Sequence, residues 1–226
     1  MSMSPTKCII FDCDGTLIDS ERLCCQALVN VFRRHGAQMS HQECIEHFKG
    51  GKLADILNEA MELAGINVSI DLLEPQYREE LHTLFVRHLK PMDGAERLIR
   101  FLDEYHIEYC VASNGPKDKI EHALKLTGLF DVFDGKVFSA FETNSWKPDP
   151  DLLMYSAMNM GFLPDECLYI DDTPKGVEAG LNAGITTIQL YNGAAVNLVD
   201  DHRVIRVQHL DEVTHRLLKE QEQSRQ

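Results

Sequence analysis

Basic residues are scarce in this chain of 226 residues, and long apolar runs are absent from it. Lysine and arginine number 22 against 36 aspartates and glutamates, so the formal net charge is −14 at pH 7. Nucleic acids and anionic membranes bind clustered basic charge, which this composition does not supply. No apolar segment approaches the roughly 20 residues of a membrane span, and the N-terminal residues lack a signal-peptide pattern. We therefore expect a cytoplasmic protein, monomeric by default, that binds neither nucleic acid nor membrane.

Motifs of several common site types are also missing. The seven cysteines are odd in number and form no CxxC pair, so neither a disulfide framework nor a zinc site is indicated. No GxSxG, HExxH or GxxxxGK[ST] sequence occurs, and no cysteine is followed six positions later by arginine. Serine hydrolases, zinc proteases, P-loop enzymes and cysteine phosphatases are thereby disfavoured.

Short apolar runs recur along the chain, and helix-like stretches separate the later ones. This alternation predicts a Rossmann-like, doubly wound parallel sheet of the α/β class. Ligands of such sheets bind beyond the carboxyl ends of the strands. The runs are KCIIF before Asp12, EYCVAS ending at Ser113, KVFS around Phe138, CLYI before Asp171, and TTIQL ending at Leu190.

The first two strand candidates lie about 90 residues apart, far more than an ordinary strand-to-helix connection needs. The intervening residues show apolar positions at helical spacing, with Gly36 and Gly65 as expected helix ends. We expect residues 21–87 to form an inserted helical-bundle cap domain, and residues 1–20 with 88–226 to form the core domain. The hinges would then lie near residues 17–21 and 88–93.

The stretch FDCDGT places Asp12 and Asp14 directly after the first strand, at the edge of the sheet where ligands bind. Two neighbouring carboxylates raise one another's pKa unless a cation neutralises them, so a divalent ion is the economical explanation. Acids before a glycine also suit an ordinary turn. An EF-hand is excluded, because Leu17 and Leu23 stand where its glycine and its bidentate glutamate belong.

Polar side chains also stand at the ends of two other strands, and a lysine stands in the segment between those strands. Taken singly, a serine after a strand or a lysine in a loop is unremarkable, but jointly these residues indicate a catalytic site at one edge of the sheet. Four groups supplement Asp12 and Asp14, namely Ser113 with Asn114, Lys147, Asp171 and Asp172.

These motifs, in this order, resemble those of the haloacid dehalogenase (HAD) superfamily, and the insertion point resembles its subgroup with a helical cap. The resemblance implies a phosphatase in which Asp12 attacks phosphorus to form an aspartyl-phosphate. Asp14 would serve as general acid and then general base. Ser113 and Asn114 would bind phosphoryl oxygens, and Lys147 would neutralise charge on the phosphoryl group and on Asp12.

The same resemblance implies a Mg²⁺ cofactor, an ion that prefers hard oxygen ligands. Asp12 and the backbone carbonyl of Asp14 would bind the ion together with Asp171 and Asp172. The sequence leaves open whether Asp171 or Asp172 contacts the metal directly.

Three other functions on this fold compete with the phosphatase. A dehalogenase has no alkoxide to protonate and would not need Asp14. The sugar-phosphate mutases of the family resemble this chain in their cap, but they carry a histidine near Cys24 and an arginine near Leu53. A non-enzymatic binding protein would have lost at least one catalytic position, and none is lost here.

The substrate indicated is a small phosphorylated metabolite. The stretches FKGGKLAD, VASNGPKDKIEH and SWKPDPDLLM resemble a bacterial branch of the family that includes a 6-phosphogluconate phosphatase. A sugar or sugar-acid phosphate is therefore expected, with Lys49 and Lys52 as substrate-binding candidates and Arg22 as a further one. The lysines would be placed by the cap loop HFKGGKLAD, although lysines and glycines also suit a helix end.

Overall fold

The computed structural model describes residues 5–47, 51–191 and 198–224. Its centre is a parallel six-stranded sheet in the order β3-β2-β1-β4-β5-β6. All five predicted strands are present, whereas the sixth was missed because it has only three residues and is not fully buried. The strands are β1 (Cys8–Phe11), β2 (Glu108–Ser113), β3 (Val137–Ser139), β4 (Cys167–Asp171), β5 (Thr186–Leu190) and β6 (Ile205–Val207).

Helices cover both faces of the sheet, because successive strand residues point to opposite faces. Ile9 and Phe11 belong to one apolar cluster, and Cys8 and Ile10 belong to the other. The fold class is therefore the predicted doubly wound α/β sheet. On the first face lie α5 (Ala95–Glu104), α6 (Lys117–Leu126), α7 (Phe130–Phe133) and α11 (Leu210–Ser224), and on the second lie α8 (Ala140–Thr143), α9 (Asp151–Met160) and α10 (Pro174–Asn182).

Four helices occupy the chain between β1 and β2. Gly65 ends the third of them with a left-handed φ of 63°, a conformation that glycine adopts without steric cost. The first and fourth helices pack together and bury apolar side chains such as Phe32 and Phe85. These helices are α1 (Glu21–Arg34), α2 (His41–His47), α3 (Leu53–Ala64) and α4 (Ile70–His88).

The two chain segments that connect these helices to the sheet run side by side. The Asp19 amide donates to the Lys90 carbonyl over 2.9 Å, and the Met92 amide donates to the Leu17 carbonyl over 2.8 Å. Both crossings between the helical insert and the core therefore lie at one place, beside the end of β1.

All seven cysteines are buried with free thiols, as expected for packing residues. Among the described residues, no helix is both long enough and apolar enough to span a membrane.

Candidate active site

The strand-end residues predicted from the sequence meet at the carboxyl edge of the sheet. Asp12 follows β1, and its backbone amide donates to the Ile170 carbonyl of β4 over 2.9 Å. Ser113 is the last residue of β2, on the other side of β1, and Asp171 is the last residue of β4. Because the chain leaves β1 toward β2 on one side and returns to β4 on the other, this edge is the crevice where doubly wound sheets bind ligands.

Lys147 is buried between two of the acids. Its Nζ donates to Asp12 Oδ1 over 2.7 Å and to Asp171 Oδ2 over 3.0 Å, and only 4% of the residue is exposed. Burial acts to lower the pKa of Lys147, but the carboxylates of Asp12 and Asp171 outweigh it and hold the pKa above its ordinary value. Lys147 is thus a fixed positive charge in direct contact with Asp12.

The neighbouring acids Asp171 and Asp172 have different surroundings. Asp171 Oδ1 accepts from the Thr173 amide and hydroxyl, each over 2.7 Å. Its Oδ2 accepts from Lys147 and from the Tyr169 hydroxyl. Both oxygens of Asp171 are therefore occupied by protein donors.

Asp172 accepts only one such bond among the described residues, at Oδ1 from the Thr16 hydroxyl over 2.9 Å. Its Oδ2 has no protein donor there and lies close to the backbone, where a Cβ added to Gly15 would stand 2.2 Å from it. Asp12 Oδ2 likewise accepts no hydrogen bond from any residue that the structure describes. The free carboxylate oxygens thus belong to Asp12 and Asp172.

The acidic cluster suits a divalent cation. Asp12, Asp171 and Asp172 each offer an oxygen, and these three atoms lie within 4.8 Å of one another. Burial, with repulsion from Asp171, raises the pKa of Asp12 to about 7 against the opposing effect of Lys147, and burial also raises the pKa of Asp172 well above its ordinary value. One lysine does not balance three carboxylates, and an all-oxygen donor set is what Mg²⁺ prefers.

Asp14 lies beside this cluster, with its side chain held by two donors. Ser20 Oγ donates to Asp14 Oδ1 over 2.9 Å, and Lys119 Nζ donates to Asp14 Oδ2 over 2.5 Å. Burial acts to lower the pKa of Lys119, but Asp14 outweighs it and keeps that pKa raised. The sequence motifs do not point to Lys119, which lies in the first turn of α6.

The loop after β2 supplies the remaining polar groups. Ser113 Oγ accepts from the Gly115 amide over 3.2 Å, and the Gly115 carbonyl accepts from Ser139 Oγ over 2.6 Å. Asn114 Oδ1 accepts from the backbone amide of Lys147 over 2.9 Å. Asn114 therefore fixes the loop that carries Lys147.

A cavity of about 680 Å³ lies between the helical insert and the sheet edge. Lys52 lines it from the insert and places its Nζ 4.4 Å from the ring centre of Trp146, beside Lys147. Lys49 lies outside the described residues. Arg22 lines a separate cavity of about 250 Å³, so the structure does not bring it to the larger one. The residues of the larger cavity include Asp12, Asp14, Ser113, Asn114, Lys52 and Lys147.

Two further supporting residues escaped the sequence analysis. Tyr169 stands two positions before Asp171 on β4, so strand alternation could have placed both side chains on one face. Thr16 contacts Asp172 across a separation of 156 residues. No sequence spacing signals that second contact.

Comparison with known proteins identifies the family. The model of the haloacid dehalogenase-like hydrolases matches residues 9–190. The 6-phosphogluconate phosphatase of Escherichia coli (strain K12) is 34% identical over 183 residues, which cover 81% of each chain. Hexitol phosphatase A of the same organism is 29% identical over 93% of this chain and 91% of its own. A solved β-phosphoglucomutase from Clostridium difficile shares the fold, with a TM-score of 0.78 and 19% identity over 98% of this chain and all of its own.

Proposed function

The chain belongs to the haloacid dehalogenase-like hydrolases and is a phosphatase, and we propose that it hydrolyses a small sugar phosphate or sugar-acid phosphate such as 6-phosphogluconate. The observation that carries this proposal is the position of Asp12. Its carboxylate contacts the buried Lys147 and lies at the wall of a cavity large enough for a phosphorylated sugar. That placement suits a nucleophile whose target is anionic.

In the first proposed step, Asp12 attacks phosphorus, and the bond between phosphorus and the leaving oxygen breaks. Asp14 enters this step protonated, no longer paired as a carboxylate with Lys119, and gives its proton to the departing alkoxide, so the products are the free alcohol and an aspartyl-phosphate on Asp12. Lys147 neutralises charge on the phosphoryl oxygens, where negative charge is spread in the transition state, and Ser113 donates a hydrogen bond to one of them. In the second step Asp14 takes a proton from water, whose oxygen bonds to phosphorus and releases phosphate from Asp12.

We assign Mg²⁺ to the free oxygens of Asp12 and Asp172 and to the backbone carbonyl of Asp14. The bound ion supplies charge that offsets repulsion between Asp12 and the phosphoester. Asp171 then supports the metal site without contacting the ion, because its four hydrogen bonds orient Lys147 and the turn at Thr173. This arrangement favours Asp172 over Asp171 as the direct ligand.

The helices of residues 21–87 serve in this proposal as a cap that opens for substrate exchange and closes to exclude water. Cap and core meet on two sides of the cavity. Lys52 contacts Trp146 on one side, and Phe85 lies 5.6 Å from Lys119 Nζ on the other. We assign Lys52 to the substrate because its ammonium lines the cavity and has no carboxylate partner among the described residues.

A mutase is the second candidate, since solved mutases share the fold. Cys24 and Leu53 line the cavity, so a thiol and an aliphatic chain stand there instead of the histidine and arginine that resemblance to the mutases would require. Incubation with a hexose 1-phosphate separates the two activities. A phosphatase releases inorganic phosphate, whereas a mutase forms the 6-phosphate isomer.

The central test of the proposed function is Asp12→Asn, assayed by phosphate release from 6-phosphogluconate and from p-nitrophenyl phosphate. We expect turnover to be abolished on both substrates while thermal unfolding stays cooperative, because the amide is not a comparable nucleophile. Asp165→Asn, at an exposed position away from the cavity, is the matched control and should behave as the wild type. Ordinary kcat in Asp12→Asn, free of wild-type contamination, would refute the mechanism.

Metal removal is an independent test. Activity should disappear in excess EDTA and return on adding Mg²⁺, because the carboxylate cluster otherwise repels the phosphoester. Full activity after exhaustive chelation would exclude the proposed cofactor.

A further inference from the structure

Two histidines of the cavity wall have no part in the proposed chemistry. His82 of α4 and His122 of α6 both line the cavity, and their rings stack with centroids 5.0 Å apart and an interplanar angle of 26°. One ring comes from the helical insert and the other from the core. The pair therefore forms a part of the cavity wall that exists only while the two units are together.

The histidine pair lies next to Lys119, the residue that contacts the proposed proton donor Asp14. Lys119 precedes His122 by one turn of α6, and Phe85 follows His82 by one turn of α4. Lys119 donates to Asp14 and lies over the ring of Phe85. One turn away, His122 of α6 stacks on His82 of α4 in the same way. Three residues of an α-helix rise about 4.5 Å, so the imidazoles lie roughly that far along α4 and α6 from the level of Lys119 and Phe85.

Hydrogen-bonding groups without a partner lie at this level. His122 Nε2 is buried and has no partner within residues 5–47, 51–191 and 198–224. Each neutral imidazole carries one N–H donor, whichever tautomer it adopts, and one acceptor nitrogen. Arg78, one turn from His82, uses Nε and Nη2 on Glu74 Oε1 and keeps the N–H groups of Nη1. Of the two acids that α4 and α6 contribute to the wall, Glu74 accepts both of these bonds at Oε1, and Asp118 is exposed to solvent.

We infer that His82 and His122 form the subsite for a carboxylate at the end of the substrate remote from the phosphate. A carboxylate accepts hydrogen bonds and donates none, so it matches the imidazole N–H groups and the nearby Arg78 cation, whose Nη1 makes no bond to Glu74. A buried ring nitrogen left without a partner is costly, and in the tautomer that protonates Nε2 of His122 the carboxylate would provide that partner. The inference rests on the proposed function, because it takes the phosphoryl group to lie at Asp12.

A matched pair of substrates tests this inference. D-Gluconate 6-phosphate and D-glucitol 6-phosphate have the same carbon chain and differ only at carbon 1, which is a carboxylate in one and a hydroxymethyl group in the other. In His122→Ala and His82→Ala, the ratio of kcat/KM for the gluconate over the glucitol compound should fall by about 10- to 100-fold, the contribution of one charge-assisted hydrogen bond. His88→Ala, at an exposed position of α4 outside the cavity lining, is the control and should leave the ratio unchanged.

Other outcomes overturn the inference in distinguishable ways. Equal losses on both sugar compounds and on p-nitrophenyl phosphate would show that the stacked rings only hold the cap to the core. Equal losses on the two sugar compounds, larger than on p-nitrophenyl phosphate, would show that the rings bind hydroxyls, which overturns the carboxylate assignment. If the wild type hydrolyses p-nitrophenyl phosphate but neither sugar compound, the proposed substrate class itself fails. Unfolding temperatures of all variants identify loss of folding.

Discussion

Two neighbouring carboxylates with different surroundings should respond to the same substitution in opposite ways. Asp171 is fully buried and accepts four hydrogen bonds, including one from Lys147. The side chain of Asp172 accepts one, from Thr16, and its Oδ2 has no donor among the residues that the structure describes. We predict that Asp171→Asn mainly destabilises the fold, whereas Asp172→Asn mainly weakens metal binding.

The expected size of each effect follows from those contacts. Breaking a buried ion pair costs about 3–5 kcal/mol, and Asp171→Asn should lie near 3 because Lys147 keeps Asp12 as a second partner. That cost corresponds to a fall of about 6–12 °C in Tm for a chain of this size. In Asp172→Asn the amide oxygen still accepts from Thr16 and repulsion with Asp171 disappears, so the change without metal should stay below about 1 kcal/mol.

Mg²⁺ affinity should fall more in Asp172→Asn than in Asp171→Asn, the reverse of the order expected for stability. Residues that hydrogen-bond a metal ligand typically contribute about 10- to 100-fold in metal affinity. Because Asp172→Asn would remove a direct ligand, it should raise the Mg²⁺ concentration for half-maximal activity by more than about 10-fold. Thermal unfolding in EDTA and in Mg²⁺, together with a Mg²⁺ titration of activity, measures both quantities. The reasoning fails if Asp171→Asn unfolds in EDTA at the wild-type temperature while showing the greater loss of Mg²⁺ affinity.

Two more predictions concern the support of the site and the motion of the cap. Gly176→Ala should lower both Tm and kcat, because the new Cβ would stand 1.9 Å from Asp171 Oδ2 and force that carboxylate away from its donors; unchanged values of both would contradict this packing argument. In hydrogen exchange, amides of residues 17–21 and 88–93 should exchange faster than those of β1 and slow down when a phosphate mimic such as tungstate is added. Equal protection of the segments and the sheet, unaffected by the mimic, would argue against a hinge.

Local sequence patterns were sufficient to predict the sheet and the location of the site. Apolar runs such as CIIF and CLYI mark buried strands, and the polar residue after each run must stand at the carboxyl end. In a parallel sheet those ends share one edge, so Asp12, Ser113 and Asp171 could be brought together without knowledge of the packing. The short strand Ile205–Val207 escaped detection because the charged, exposed Arg206 at its centre interrupts the apolar run, unlike the equally short and fully buried Val137–Ser139.

The sequence could not decide which of two adjacent acids would hold a metal. Asp171 and Asp172 are the same residue type in one motif, and they differ only in the donors that the fold brings to them. Those donors are Lys147 and the Thr173 turn for Asp171, and Thr16 from the far end of the chain for Asp172. Such hydrogen bonds depend on side-chain geometry between elements, which hydrophobic periodicity does not encode.

The contacts of Lys119 with Asp14, and of His82 with His122, depend on how α4 of the insert packs against α6 of the core. Periodicity places each side chain on a face of its own helix and says nothing about which helix lies opposite. The sequence alone therefore determined which candidate catalytic residues stand at the sheet edge, because strand ends are local features. Only the tertiary structure decided which residues line the cavity between α4 and α6, because these helices come from parts of the chain that are far apart.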